Sequence, residues 1–396
     1  MSGRSPNSSQ ANYIQFSTGH DDLVHDVAYD FYGRRMATVS SDQRLKVFDL
    51  NDEGEWVISE SFRAHDASIN RVIWGPPEHG QIIATCSYDR TVRIWEEQEM
   101  EPKGSNLRWK RQFQMTSESH TAVYDISFPP MSACSASGTS TGLKLAFIST
   151  DGTVHIYECR EPQDLTHWIA VDVIHTLPAA LGKEIEVSFC LDFCPSRWGG
   201  EQLVVGAMDK AQVYRHNRLG KFRPAEELKG HRGLVRDVSW AAGMGRSYHL
   251  IATACKDGRV RIFKLTTGAG NLAAPKSKYL NSSGGSGRRP RPGVGAGLGA
   301  DLRGQDELLT VVEPEGGFGG EDERWHVDLI ADFDDHHSDV WRVAWNATGT
   351  VLSSAGDDGN IRLWKAAFSG EFQCLSVIAS HRSSSRWEED QVTFDD

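Results

Sequence analysis

Short apolar runs separated by polar turns recur from one end of the chain to the other, and many alternate apolar with polar residues. "LVHDVAY" at 23–29 alternates in this way. "RMATVSSDQRLKVFDL" at 35–50 follows: an apolar run, an Asp-centred turn, then a second alternating run that ends in an aromatic. A more polar segment, "EWVISESF", comes next at 55–62. Period-two alternation over four to eight residues, bounded by Asp, Gly and Ser, predicts four successive antiparallel strands.

The same unit repeats. "IIATCSYDRTVRIWEE" at 82–97 is echoed by "KLAFISTDGTVHIYEC" at 144–159, "LIATACKDGRVRIFKL" at 250–265 and "VLSSAGDDGNIRLWKA" at 351–366, with a weaker copy, "QLVVGAMDKAQVYRHN", at 202–217. Each is preceded by a short run: "SINRVIW", "AVYDISF", "SFCLDF", "LVRDVSW" and "DVWRVAW". A four-stranded unit in roughly 40–50 residues is the blade of a WD-repeat propeller. The pattern therefore predicts an all-β, six-bladed propeller with blades near 20–63, 65–116, 120–176, 185–229, 231–333 and 336–380.

The polar residues of the repeat fit one hydrogen-bonded network per blade. A His before the first strand, a Ser or Thr on the second, the turn Asp and an aromatic on the third can bond in a chain, which satisfies groups that are costly to bury alone. Blade two offers His65, Ser87, Asp89 and Trp95, and blade one offers His20, Ser40, Asp42 and Phe48. Blade three offers His120, Ser149, Asp151 and Tyr157; blade five, His231, Asp257 and Phe263; blade six, His336 or His337 with Asp358 and Trp364. Blade four has no evident His, is one residue short between Asp209 and Tyr214, and is expected to be the least regular.

Composition narrows the function. The chain has 396 residues and a formal net charge of −12, which argues against a phosphate-backbone binder, because such proteins carry a basic stripe. Its seven cysteines form no CxxC pair, a pattern of reduced intracellular thiols. The N-terminus has no apolar signal region, and no apolar run reaches the roughly 18 residues of a membrane helix, so a membrane location is expected to come through partners.

Residues that resemble chemistry sit mostly at repeat positions. His20, Asp21, Asp22, His25 and Asp26 have the side chains of a metal site, but His20 already has a repeat-wide place and 23–29 alternates as a strand. The similar "DFDDHHSDVW" at 332–341 recurs at the matching point of blade six, so Asp334, Asp335 and Asp339 are read as a solvated acidic loop. Cys190 and Cys194 have no second pair and are read as buried thiols. Neither nucleophile, phosphate-loop, zinc-protease nor dinucleotide motifs occur in a fitting context, so no enzyme, cofactor or metal is expected. The sequons at Asn7, Asn281 and Asn346 are read as chance matches.

Residues 1–12 read as a disordered extension, 268–322 as a low-complexity insertion between the third and fourth strands of blade five, and 381–396 as a flexible acidic tail. "GRRPRP" at 287–292 is read as linker.

Counting strands raises a further expectation. The commonest WD-repeat ring closes with seven blades, or roughly 28 strands, whereas six blades give about 24 and "YIQF" at 13–16 adds one. The alternatives are a closed six-bladed ring and an open ring completed by another polypeptide. An open ring exposes strand edges and apolar flanks, expected at Val24, Val27 and Tyr29 on blade one and at Val340, Trp341, Val343 and Trp345 on blade six.

"GHDDLVHDVAYDFYGRRMATVSSDQRLKVFD", "RAHDASINRVIW", "LDFCPSRW" and "VWRVAWNATGTVLSSAGDDGNIRLWKA" resemble the Seh-type nucleoporins, relatives of the Sec-thirteen-type vesicle-coat proteins. The resemblance covers 19–378. It implies an open six-bladed propeller whose seventh blade is supplied in trans by an α-helical scaffold nucleoporin. It further implies a place in the Y-shaped scaffold complex of the nuclear pore, at the nuclear envelope, and in a vacuolar or lysosomal coat-like complex acting on TOR kinase. The competing readings are a coat subunit of endoplasmic-reticulum export and a substrate-receptor adaptor or histone-tail reader.

Overall fold

The computed structural model describes residues 16–117, 121–129, 142–178, 185–195, 201–217, 220–266 and 325–379. Within them, 24 strands form six antiparallel sheets of four consecutive strands each, arranged as a six-bladed propeller. Blade one is Val24–Tyr29, Arg35–Ser40, Arg44–Leu50 and Trp56–Arg63. The first strands of the other blades are Ile69–Trp74, Val123–Ser127, Phe189–Phe193, Val235–Trp240 and Val340–Trp345. The third and fourth strands of blade five, Val260–Thr266 and His326–Phe333, flank the 268–322 insertion. That insertion, residues 1–15, His120, Asn281 and the 381–396 tail lie outside the described residues.

The hairpin between the second and third strands explains the repeated Asp. In blade two the Asp89 carboxylate accepts the Thr91 N–H at 3.0 Å and pins the turn. The next residue must be left-handed; glycine fills that place at Gly152, Gly258 and Gly359, but blades one and two use Gln43 at φ 68° and Arg90 at φ 72°. Blade four closes this hairpin in two residues, Met208 and Asp209, between the paired Ala207 and Lys210. It also lacks the register shift that the other five blades show between their first and second strands.

Alternation puts one face of each sheet against each neighbour, and the core is built there. Five clusters of buried apolar residues join blade one to two, two to three, three to four, four to five and five to six. The first strands pack against one another in the same succession. Among the described residues no such cluster joins blade six to blade one, so one face of each is left without a neighbouring sheet.

Candidate functional site

The direction in which side chains cross each junction decides what the unpaired faces are made of. In the blades whose first strand carries the register shift, its first and fourth residues point back to the preceding blade: Ile69 and Val72 are buried against blade one, Val123 and Ile126 against blade two, and Val235 and Val238 against blade four. Blade four, without the shift, turns Phe189, Leu191 and Phe193 back instead. Blade six obeys the same rule, so Val340 and Val343 are buried in the core shared with blade five. The two remaining flank residues expected there also turn back. The Trp341 ring lies 4.1 Å under the Arg236 guanidinium of blade five, and the Trp345 indole donates to the Ser239 carbonyl at 3.2 Å. The expectation that these four line the open side is therefore corrected: periodicity separates the two faces of a strand but does not say which neighbour each meets.

Blade one has no preceding blade. Val24 and Val27 hold the places of Ile69 and Val72, yet they are 43% and 48% exposed, and Tyr29 is 55% exposed. On the far side, blade five presents Leu250, Ala252, Ala254, Val260 and Ile262 to blade six. The matching residues of blade six are Val351, Ser353, Ala355, Ile361 and Leu363, all partly or fully exposed. The open edge is thus a slot with apolar walls, Val24, Val27 and Tyr29 on one side and Val351, Ile361 and Leu363 on the other. Phe48 of blade one is covered by the incoming chain, its ring meeting Phe16 edge-on at 5.7 Å. Phe16, the one described residue of "YIQF", is not in a strand.

The polar networks hold the blades that carry this slot. His65 accepts or donates at both ring nitrogens, to the Asp89 carboxylate at 2.9 Å and the Thr85 hydroxyl at 2.8 Å, and the Trp95 indole donates to the same hydroxyl at 3.1 Å. In blade six His336 bonds Asp358 at 2.9 Å and Ser354 at 2.8 Å, and the Trp364 indole donates to Ser354. His20 bonds Asp42 and Thr38. The hydroxyl on the histidine is thus Thr38, Thr85, Thr253 or Ser354, two residues before the serine position expected. Ser40 and Ser87 instead donate to loop carbonyls, at Asp22 and Ser68, and accept the N–H of their turn Asp.

The other blades carry parts of the network. Blade five keeps His231 on Thr253 at 2.9 Å, with the Phe263 ring beside the imidazole, but Asp257 pairs with Arg261. Blade three has Phe147 where the hydroxyl would stand, and Tyr157 stacks on it; Ser149 donates to Ser117, and Asp151 accepts the Thr153 N–H. Bonding to His65 holds the Asp89 carboxyl well below its ordinary range despite burial, while burial lowers the His65 pKa.

The residues that resembled chemistry are held by local hydrogen bonds, ion pairs and packing. His25 bonds the Ser41 hydroxyl at 2.6 Å, and Asp26 on the opposite face accepts the Val72 N–H at 3.0 Å. Asp21 donates its N–H to Asp42, and Asp22 accepts that of Leu23. The acidic loop of blade six is not simply solvated: Asp334 pairs with Arg259 and Asp339 with Arg236, both of blade five, while the Asp335 carbonyl accepts from Arg362. His337 stands at φ 51° beside the networked His336. Cys190 and Cys194 are buried between blades four and five. Asn346 holds its own turn, accepting from Thr350 and Val351.

Sequence reasoning passed over the arginines at the axis. Arg71 lies 2.7 Å from Asp125 of blade three and 2.7 Å from Asp237 of blade five. Burial works against its charge, but Asp125, Asp237 and Asp26 outweigh that and hold its pKa well above the ordinary value. The signal was available: "INRVIW" and "VWRVAW" carry Arg at the repeat position where "VHDVAY" and "VRDVSW" carry Asp.

Known proteins agree with this architecture. The family model described as "WD domain, G-beta repeat" matches residues 12–49, 56–96, 222–264 and 328–365. The chain is 42% identical over 368 residues to a protein of Saccharomyces cerevisiae named Nucleoporin SEH1, covering 93% of this chain and 99% of that one. It is 41% identical to nucleoporin seh1 of Schizosaccharomyces pombe, covering 91% and 95%. Nucleoporin SEH1 of Homo sapiens is 34% identical, covering 92% and 87%. Six WD-repeat blades in one chain, aligned nearly end to end with these relatives, place it in the SEH1 family of nucleoporins.

Proposed function

We propose that the chain is a non-enzymatic structural subunit of the nuclear pore scaffold, in its Y-shaped complex at the nuclear envelope. An α-helical scaffold nucleoporin inserts β-strands into the slot between blades six and one. The observation that carries this reading is the unequal burial of equivalent residues. Val27 stands exposed where Val72, Val238 and Val343 are buried by the preceding sheet. A sheet face of this kind, flanked by unpaired strand edges, is suited to β-augmentation by another chain. The slot residues proposed to meet the partner are Val24, Val27 and Tyr29 with Val351, Ile361 and Leu363. The names of the relatives support the pore assignment.

The test is co-purification from cells followed by mass spectrometry, with wild-type chain and Val27→Asp side by side. Recovery of helical pore-scaffold subunits with wild type and their loss with the variant is expected. Recovery of vesicle coat-cage subunits or of ubiquitin-ligase components instead would replace the reading. The family resemblance extends the same use of the ring to a vacuolar or lysosomal coat-like complex acting on TOR kinase. The mass spectrum of wild-type partners separates the two assemblies.

A further inference from the structure

The third residue of the first strand is charged in five of the six blades, and these residues meet around the axis. They are Asp26, Arg71, Asp125, Asp237 and Arg342; in blade four, whose first strand lacks the register shift, the third residue, Leu191, turns instead into the core shared with blade three. Their signs alternate along the contacts: Asp26 to Arg71 at 3.8 Å, Arg71 to Asp125 at 2.7 Å, Asp237 to Arg342 at 4.0 Å. The next contact is of a different kind. Arg342 lies 3.5 Å from Asp26 and donates to the His25 carbonyl at 3.4 Å, joining blade six to blade one where no apolar core does so.

We propose that Arg342 is a positioning residue of the slot: an axial clasp that holds blade one at a fixed distance from blade six before any partner arrives. Both anchors of the clasp are themselves fixed. Asp26 is tied to blade two by the Val72 N–H, and Asp237 to blade six by the Val343 N–H at 3.0 Å. A guanidinium is suited to the task because its planar fork can serve a carboxylate and a carbonyl together. Elsewhere each junction is kept by a buried apolar cluster, so losing one ion pair there changes little in spacing; at the slot the clasp is the direct blade-to-blade link among the described residues. The Arg342 side chain is 35% exposed, so the pair is open to screening by salt. The clasp is a property of the isolated ring, whereas its service to a partner rests on the reading above.

The experiment uses the isolated full chain, with Cys134 and Cys374 replaced by serine and spin labels at Glu53→Cys and Ser369→Cys. These exposed positions lie in the turns before the fourth strands of blades one and six. Electron–electron distance measurement on wild type should give one narrow distribution at low salt that broadens at high salt. Arg342→Met, which keeps the aliphatic stem, and Asp26→Asn, which keeps an acceptor for Val72, should each broaden it at low salt and remove the salt dependence. Arg93→Met, which loses bonds to Ala64, Asp66 and Asp89 away from the slot, should leave it narrow. Distributions for Arg342→Met and Asp26→Asn that superpose on wild type would overturn the clasp. Should Arg342→Met fail to fold, Asp26→Asn and the salt series decide. Failure of wild-type chain to recover a helical nucleoporin would strike the partner reading alone.

Discussion

Val27 of blade one and Val343 of blade six occupy the same place in their first strands, yet Val27 is 48% exposed and Val343 is 3% exposed. The difference comes from position in the ring: Val343 has blade five behind it, and Val27 has the slot.

Opposite outcomes are therefore expected for the same substitution at the two sites. Val27→Asp places a charge in water and should leave the isolated chain's thermal midpoint within a few degrees of wild type while abolishing partner capture. Val343→Asp buries an unpaired carboxylate and should cost at least about 3 kcal/mol, lowering the yield of folded chain before binding can be assessed. Circular dichroism melts beside the pull-down separate the two. A folded, partner-binding Val27→Asp chain would refute the slot assignment.

In blade two the Thr85 hydroxyl serves both His65 and Trp95. Thr85→Val keeps the shape and strands two buried ring nitrogens, so a loss of about 2–4 kcal/mol in urea unfolding is expected. Ser87→Ala frees loop carbonyls nearer solvent and should cost less, about 1 kcal/mol. If Ser87→Ala proved the costlier change, the serine would be the principal latch.

The blades and the turn Asp were legible because a repeat multiplies a weak signal: one alternating run is ambiguous, but six copies in register are not. The hydroxyl position was not, since both Thr85 and Ser87 sit on the strand, on the same face, and only the reach of the His65 ring chooses between them. The back-facing packing of Val340 and Val343 was equally hidden. It depends on how sheets succeed one another around the ring, which a single strand does not encode. Arg71 and Arg342 could have been found by comparing the third residue of each first strand across the repeats.

Arg90 follows the turn Asp of blade two in a left-handed conformation at φ 72°, where blades three, five and six have glycine. Its side chain is exposed, and its backbone carbonyl takes the Ser117 N–H, a bond that glycine keeps. A non-glycine residue pays about 1–2 kcal/mol for this conformation, part of which glycine returns as chain entropy when unfolded. Arg90→Gly should therefore stabilise the chain by about 0.5–1 kcal/mol in chemical denaturation, and a destabilised variant would show that the side chain contributes more than its exposure suggests.

Asp192 bears on stability with the opposite pH sign to the blade networks. Burial pushes its carboxyl up to about 7 from an ordinary 3.8, and Asp125 and Asp237 add to this against the Trp240 N–H that it accepts at 2.8 Å. Between those two values the folded chain holds a proton that the unfolded chain has released, so stability falls as pH rises through this window and levels off above it. Asp89, whose carboxyl is held low, contributes stability that is present above the ordinary carboxylate range and lost as pH falls. Asp192→Asn keeps an oxygen to accept the Trp240 N–H and removes the titration. The variant should gain on wild type steadily from about pH 4 to pH 7, reaching an advantage on the order of a few kcal/mol, in urea midpoints measured at several pH values. An advantage that stays constant with pH, or shrinks toward neutrality, would show that Asp192 is already ionised in the folded ring.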